Sequence, residues 1–122
     1  MKLFFLLGII NGFLAVALGA FGAHGLEGRI SEKSIAIWEK AVHYQMFHTT
    51  ALLVTGLLML KYQATSLTAA GWAFFIGIVI FSGSLYIYAT TSIKAFAIVT
   101  PLGGVSFLVG WVLLGIATMK LL

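Results

Sequence analysis

The residues that could carry chemistry sit in one apolar stretch of the chain. Trp38, Ala41, Gln45, His48 and Leu52 recur at steps of three and four, which gathers them within about 80° of one helix face. Gln45 and His48 occupy adjacent turns of that face, and Tyr44 borders it. His48 lies about 10 Å past the start of the apolar run at Ala41 by the helical rise. At such depth in a membrane an ionisable residue is costly and points to a ligand or proton site. Neutral imidazole and carboxamide groups also bond across helices as glue, so two readings stand side by side. His43 belongs to a different face, about 160° from Gln45, which it shares with Glu39 as a pair at headgroup level. His24 follows Gly22-Ala23, at headgroup depth and within reach of the start of the next helix. Further along, Ser84 and Tyr88 share a face, as do Ser82 and Tyr86. Tyrosine belts at the membrane interface account for the tyrosines without any function.

Several reaction classes lack their groups. Catalytic zinc usually takes three protein ligands. The three histidines point different ways, and neither a His-Glu-x-x-His nor a Cys pair occurs. Two histidines are formally available to a haem, with no motif in support. Aspartate is absent and the three Glu cluster at positions 27, 32 and 39, so no Ser-His-acid triad assembles. With no cysteine there is no disulfide, thiolate site or Cys nucleophile. No phosphate-cradling loop appears. No catalytic residue, metal or cofactor is expected. Thr100-Pro101-Leu102-Gly103-Gly104 interrupts a late apolar run. Pro101 either starts or kinks that helix, or breaks it within the membrane and frees carbonyls for an ion; without duplicated halves, the first reading leads.

These residues need a scaffold, and the composition defines it. The 122-residue chain is 61% hydrophobic and 8% charged, with mean hydropathy +1.12, against about a quarter charged in soluble domains. Lipid is the expected solvent, and the length allows one integral membrane domain, 1–122. The net charge of +4 suits anchoring to anionic headgroups and offers no basic stripe for nucleic acid. Spanning the bilayer takes about 20 helical residues, and four stretches qualify: 3–23, 41–60, 67–90 and 96–119. The first, 21 residues from Leu3 to Ala23, exceeds a signal-peptide core of about 7–15 and reads as a retained span. Strands are excluded, since four cannot close a barrel and open edges are forbidden in lipid.

The expected fold is therefore all-α, a four-span antiparallel bundle. Residues 24–40 are expected to hold a short interfacial helix, capped by Ser31 with Glu32 in its first turn and Trp38 at headgroup level, running into the second span. Lys2, Lys61 and Lys120 fall on one side and Arg29, Lys33, Lys40 and Lys94 on the other, so loop charge sets no orientation.

Association in lipid rests on close packing and interhelical hydrogen bonds. Gly8, Asn11, Gly12, Ala15, Gly19 and Gly22 fall within about 100° of the first span, and Asn11 needs a partner on a neighbouring helix. Gly103, Ser106, Gly110 and Ala117 repeat the device in the fourth span, with Ala73, Gly77 and Gly83 in the third. These grooves are read as packing within the bundle ahead of a subunit contact; a homo-oligomer or a membrane-protein partner stays open.

Four motifs carry a resemblance: Gly19-Ala20-Phe21-Gly22-Ala23-His24-Gly25-Leu26, Trp38-x-x-Ala41-x-x-Tyr44-Gln45-x-x-His48, Phe81-Ser82-Gly83-Ser84-Leu85-Tyr86 and Thr100-Pro101-Leu102-Gly103-Gly104. In them the chain resembles, over nearly its whole length, the uncharacterised small membrane proteins grouped as domain of unknown function 423. The resemblance implies four spans and residence in the bacterial cytoplasmic membrane, with relatives in eukaryotic organelles, and no established activity. It also implies a shortlist: His24, Gln45, His48, Ser84, Tyr86 and Pro101. The leading expectation is a non-enzymatic membrane protein serving membrane integrity or assembly. Its rival is a small transporter or ligand-binding bundle with a polar site at Gln45 and His48.

Overall fold

A computed structural model describes residues 2–122, and among these every regular element is helical. There are four helices: α1 (Leu3–His24), α2 (Glu32–Met59), α3 (Thr65–Thr91) and α4 (Lys94–Leu121). By length and composition α1, α3 and α4 can each cross a membrane, with hydropathies of 2.3, 1.8 and 2.0. The 28-residue α2 is longer than α1, but Glu32, Lys33, Glu39 and Lys40 occupy its first turns.

No separate helix stands between α1 and α2. Gly25 N–H closes α1 on the Phe21 carbonyl at 2.6 Å, and a turn with Gly28 at φ 78° leads to Ser31. The Ser31 hydroxyl accepts from Ser34 N–H at 3.1 Å, capping α2 as expected, with Glu32 next to the positive end of the helix dipole. The polar turns expected as an interfacial helix are the start of α2 itself. From Glu32 to Thr55 the chain has neither Gly nor Pro, so nothing stops propagation across the expected membrane surface. At the other ends, Ser92 in the left-handed region (φ 59°) terminates α3, and only Ser92 and Ile93 separate α3 from α4.

The helices pack in chain order, each along the next, while α1 and α4 share no extended contact. Through long side chains α1 also reaches α3, with Phe4 5.6 Å from Trp72, and α4 reaches α2, with Phe107 3.5 Å from His48. The bundle is thus a rhombus: α2 and α3 form the short diagonal, with α1 and α4 on opposite sides. Phe4, Leu52, Leu67, Phe74, Ile78 and Phe107 make the main core, and Leu26, Trp38, Val42 and Ala89 a second one near the α1–α2 turn. Phe13, Val16, Ile98, Leu108 and Met119 point outward, as a lipid-facing surface requires.

The small residues set the closeness of approach. A β-carbon at Gly8 would meet Leu53 at 2.6 Å, and one at Gly22 would collide with the Trp38 ring. Gly12 and Gly19 face Thr49 and Val42 more loosely, at 3.6 and 3.4 Å. In α4 the contact is tighter in kind: at Gly103 the obstacle is the Phe81 backbone nitrogen itself, and at Gly110 it is the Phe74 ring. Backbone against backbone leaves nothing that can swing aside.

Pro101 lies inside α4 rather than at its first turn, and the helix continues unbroken through it. Proline deprives the Ala97 carbonyl of its usual donor. One residue earlier the Thr100 hydroxyl donates to the Phe96 carbonyl at 3.0 Å. A π-helical turn, Ile78–Ser82, interrupts α3 at its middle. Such a turn inserts one extra residue and shifts the phase of the helix beyond it. Phe81 thereby packs on α4 and Tyr44, while Ser82 donates to the Ala41 carbonyl of α2 at 2.7 Å.

Candidate functional site

The face of α2 that bears Gln45 and His48 is buried, but the two side chains go to different neighbours. Gln45 turns toward α1 and α3. Tyr86 donates its hydroxyl proton to Gln45 Oε1 at 2.6 Å, Gln45 Nε2 donates to Asn11 Oδ1 at 3.0 Å, and Asn11 Nδ2 donates to the Leu7 carbonyl at 2.8 Å. Three helices are tied by one relay. Two turns nearer the start of α2, the Trp38 indole donates to the Leu18 carbonyl at 2.8 Å and packs edge-on against Tyr86, centroids 4.6 Å apart.

His48 turns toward α4. The Trp111 indole N–H donates to His48 Nε2 at 3.0 Å, and His48 Nδ1 lies 2.8 Å from the Tyr44 carbonyl. Since an indole can only donate, Nε2 must be the bare nitrogen. The carbonyl can only accept, so Nδ1 carries the proton. The pair of bonds therefore selects one neutral tautomer, further held by Phe107 stacked at 3.5 Å with ring planes 9° apart.

A third junction joins α3 to α4. Ser84 and Thr100 hydroxyls lie 2.6 Å apart, and Ser106 donates to the Ala73 carbonyl at 2.7 Å. Of the residues singled out from sequence, Gln45, Tyr86 and Asn11 come together, and Tyr44 and His48 come together. Ser84 meets neither group. His24 is exposed at the end of α1 and bonds no other described residue.

Sequence reasoning missed Trp111, Phe107 and Thr100. A signal existed for Trp111: it is the eighteenth residue of the 28-residue α4, far from the interfacial belts where tryptophan is common. An indole N–H at that depth must find an acceptor. Phe107 gave none, and Thr100 stood in the proline motif with no partner assigned, since which face of α4 meets α2 or α3 is not written in local spacing.

Two clefts result from the rhombic packing. One, of about 690 Å³, opens between α2 and α4, with Tyr44, Phe47, His48, Phe81, Phe107 and Trp111 among its walls. The other, of about 390 Å³, lies between α1 and α3 over the Asn11–Gln45–Tyr86 relay. Among the described residues, no three His, Cys, Asp or Glu side chains come together as a metal site would need.

Fold and polar core together define a small multi-helix membrane protein whose polar residues link helices. The chain belongs to the DUF423 family: the model described as "Protein of unknown function (DUF423)" matches residues 18–104. Among similar proteins are UPF0382 membrane protein YwdK of Bacillus subtilis, 50% identical with all of both chains covered, and a UPF0382 membrane protein of Staphylococcus epidermidis, 52% identical over 98% of each. A UPF0382 membrane protein of Staphylococcus saprophyticus is 50% identical over 99% of this chain and the whole of its own. No solved structure matches the chain.

Proposed function

We propose that this is a non-enzymatic protein of the bacterial cytoplasmic membrane, crossing it four times and serving membrane integrity or the assembly of a membrane complex. The observation that carries the reading is the closure of its polar interior. Among the described residues, no buried side-chain nitrogen or oxygen lacks a hydrogen-bond partner. A reaction centre normally keeps a nucleophile, base or oxyanion donor directed at the substrate. Here Gln45, Asn11, Ser82 and Thr55 all end on this chain's own atoms.

Helix α2 is the fourth span in this reading. Its segment from Ala41 to Met59 lies beside α1 and α3 and carries no charged residue, and charged turns at its start suit the headgroup region. The glycine stripes of α1 and α4 meet helices of the same chain, which favours internal packing over a dimer seam. The test compares cells lacking the protein with cells complemented by it, following dye entry and membrane potential. Greater leakage without the protein supports the reading; turnover of a lipid or quinone by the purified protein refutes it.

A second reading, a ligand-binding or transporting bundle, draws on the α2–α4 cleft beside His48. Its polar site would be His48 with Tyr44 rather than His48 with Gln45, because Gln45 turns toward α1 and α3.

A further inference from the structure

The outward face of α2 differs from those of its neighbours. Between Ile9 and Phe21 in α1, Trp72 and Ile87 in α3, and Ala95 and Ile116 in α4, no exposed side chain is charged or ionisable. On α2, Glu39, Lys40 and His43 are all exposed, and among the described residues none of the three has a polar partner. The register of α1 on α2 gives their depth. Gly19 faces Val42, Gly12 faces Thr49 and Gly8 lies against Leu53, which sets His43 level with Leu18 and Thr50 level with Asn11. Leu18 is six residues inward from His24 at the end of α1, about 9 Å by the helical rise. The His43 ring is thus carried on a turn deeper than the headgroup level expected for it. Ionisable groups within a membrane almost always turn inward or pair with one another, so an outward imidazole at this depth needs cover.

The same face is complementary to itself. Ala36, Lys40, His43, Phe47, Thr50, Val54 and Leu57 are exposed and recur at alternating steps of four and three, within about 100° of arc. Two helices meeting along such a strip wind into a left-handed pair. Glu39 flanks the strip, so Glu39 and Lys40 lie on either side of its midline. A two-fold interface requires a patch that matches its own copy. Copies of one chain insert in the same sense, so the axis runs along the membrane normal and each residue of the strip meets its own counterpart. Glu39 of one copy then faces Lys40 of the other, twice over. A neutral imidazole has one donor and one acceptor nitrogen, so two His43 rings satisfy each other. The Thr50 hydroxyl, 3.3 Å from the Met46 carbonyl, can pair in the same way, and Phe47, Val54 and Leu57 supply apolar contact.

We propose that the outer face of α2 is the interface of a parallel homodimer, closed by paired His43 rings and by reciprocal Glu39–Lys40 contacts. The inference rests on α2 crossing the membrane, and it goes beyond the proposed role by naming a surface and the partner that covers it. The glycine stripes of α1 and α4 stay inside each copy, where α2 and α3 already fill them.

The experiment uses the full chain. It has no cysteine, so single cysteines in native membranes can be oxidised to disulfides with copper phenanthroline. Linked dimer is expected for Phe47→Cys, Thr50→Cys and Val54→Cys, and none for Ile9→Cys on α1 or Leu108→Cys on α4, both outward-facing. The dimer fraction in liposomes is then read by single-molecule photobleaching. Glu39→Lys and Lys40→Glu should each weaken association about tenfold, and the two changes combined should restore it. Adjacent residues do not face each other on one helix, so restoration reports a contact between copies. Thr50→Cys also tests the span: modification by an impermeant maleimide would show that α2 does not cross, and would overturn both readings. Shielding of Thr50→Cys together with equal cross-linking at every position overturns the dimer alone. A monomeric protein, or a double reversal that fails to restore association, overturns it as well.

Discussion

Trp111 of α4 and His48 of α2 meet nitrogen to nitrogen, the indole N–H donating to Nε2 at 3.0 Å. The contact is the polar link between two helices whose backbones do not run side by side, and it holds the imidazole neutral with its proton on Nδ1. Two consequences can be measured.

Trp111→Phe keeps most of the ring and removes the donor, leaving Nε2 unpaired in an apolar cleft. An interhelical hydrogen bond in lipid is worth about 0.6–1.7 kcal/mol, and a loss near the upper end is expected because a buried acceptor stays behind. Thermal unfolding in detergent checks it. In nitrogen-15 spectra the His48 Nε2 signal should also shift as its donor is lost, while the Tyr44 carbonyl at 2.8 Å keeps the proton on Nδ1.

Gln45 joins Tyr86 and Asn11 in one relay. Tyr86→Phe and Gln45→Leu should therefore not add: their double-mutant cycle should give a coupling of about 0.5–1.5 kcal/mol. The cycle of Tyr86→Phe with Trp111→Phe should give none within error, since the two bonds belong to separate networks.

Gly103→Ala and Gly115→Ala are chemically the same change in the same helix. At Gly103 the new methyl meets the Phe81 backbone, whereas at Gly115 nothing lies within 4 Å. The first should cost about 1–3 kcal/mol through overpacking or prevent recovery of folded protein. The second should leave the melting temperature unchanged or slightly higher, by helix propensity. Equal effects would mean that α3 and α4 are not held backbone to backbone.

The chain contains no cysteine, so single cysteines report sidedness without background. If α2 spans, Gly28→Cys and Ser92→Cys react with an impermeant maleimide from one side of the membrane, and Gln63→Cys from the other. Labelling of positions 28 and 63 from the same side would show that α2 does not cross.

Local chemistry by itself determined the helical class, the approximate helix bounds and the N-cap at Ser31, because lipid admits few backbone solutions and capping acts within one turn. The small-residue stripe of α1 was legible for the same reason: it is a one-dimensional period. The expectation that Gln45 and His48 line one site followed from that same period and stopped there. A shared face of about 80° still spans two neighbours in a bundle, and only the tertiary arrangement sends Gln45 to α1 and α3 and His48 to α4. The tertiary structure also decided that α1 and α4 stay apart and that an unbroken α2 absorbs the expected interfacial helix. It placed the π-helical turn of α3 so that Phe81 faces α4. These outcomes depend on which residues approach across long stretches of chain, as Trp111 does His48, and no spacing within one helix encodes its partner.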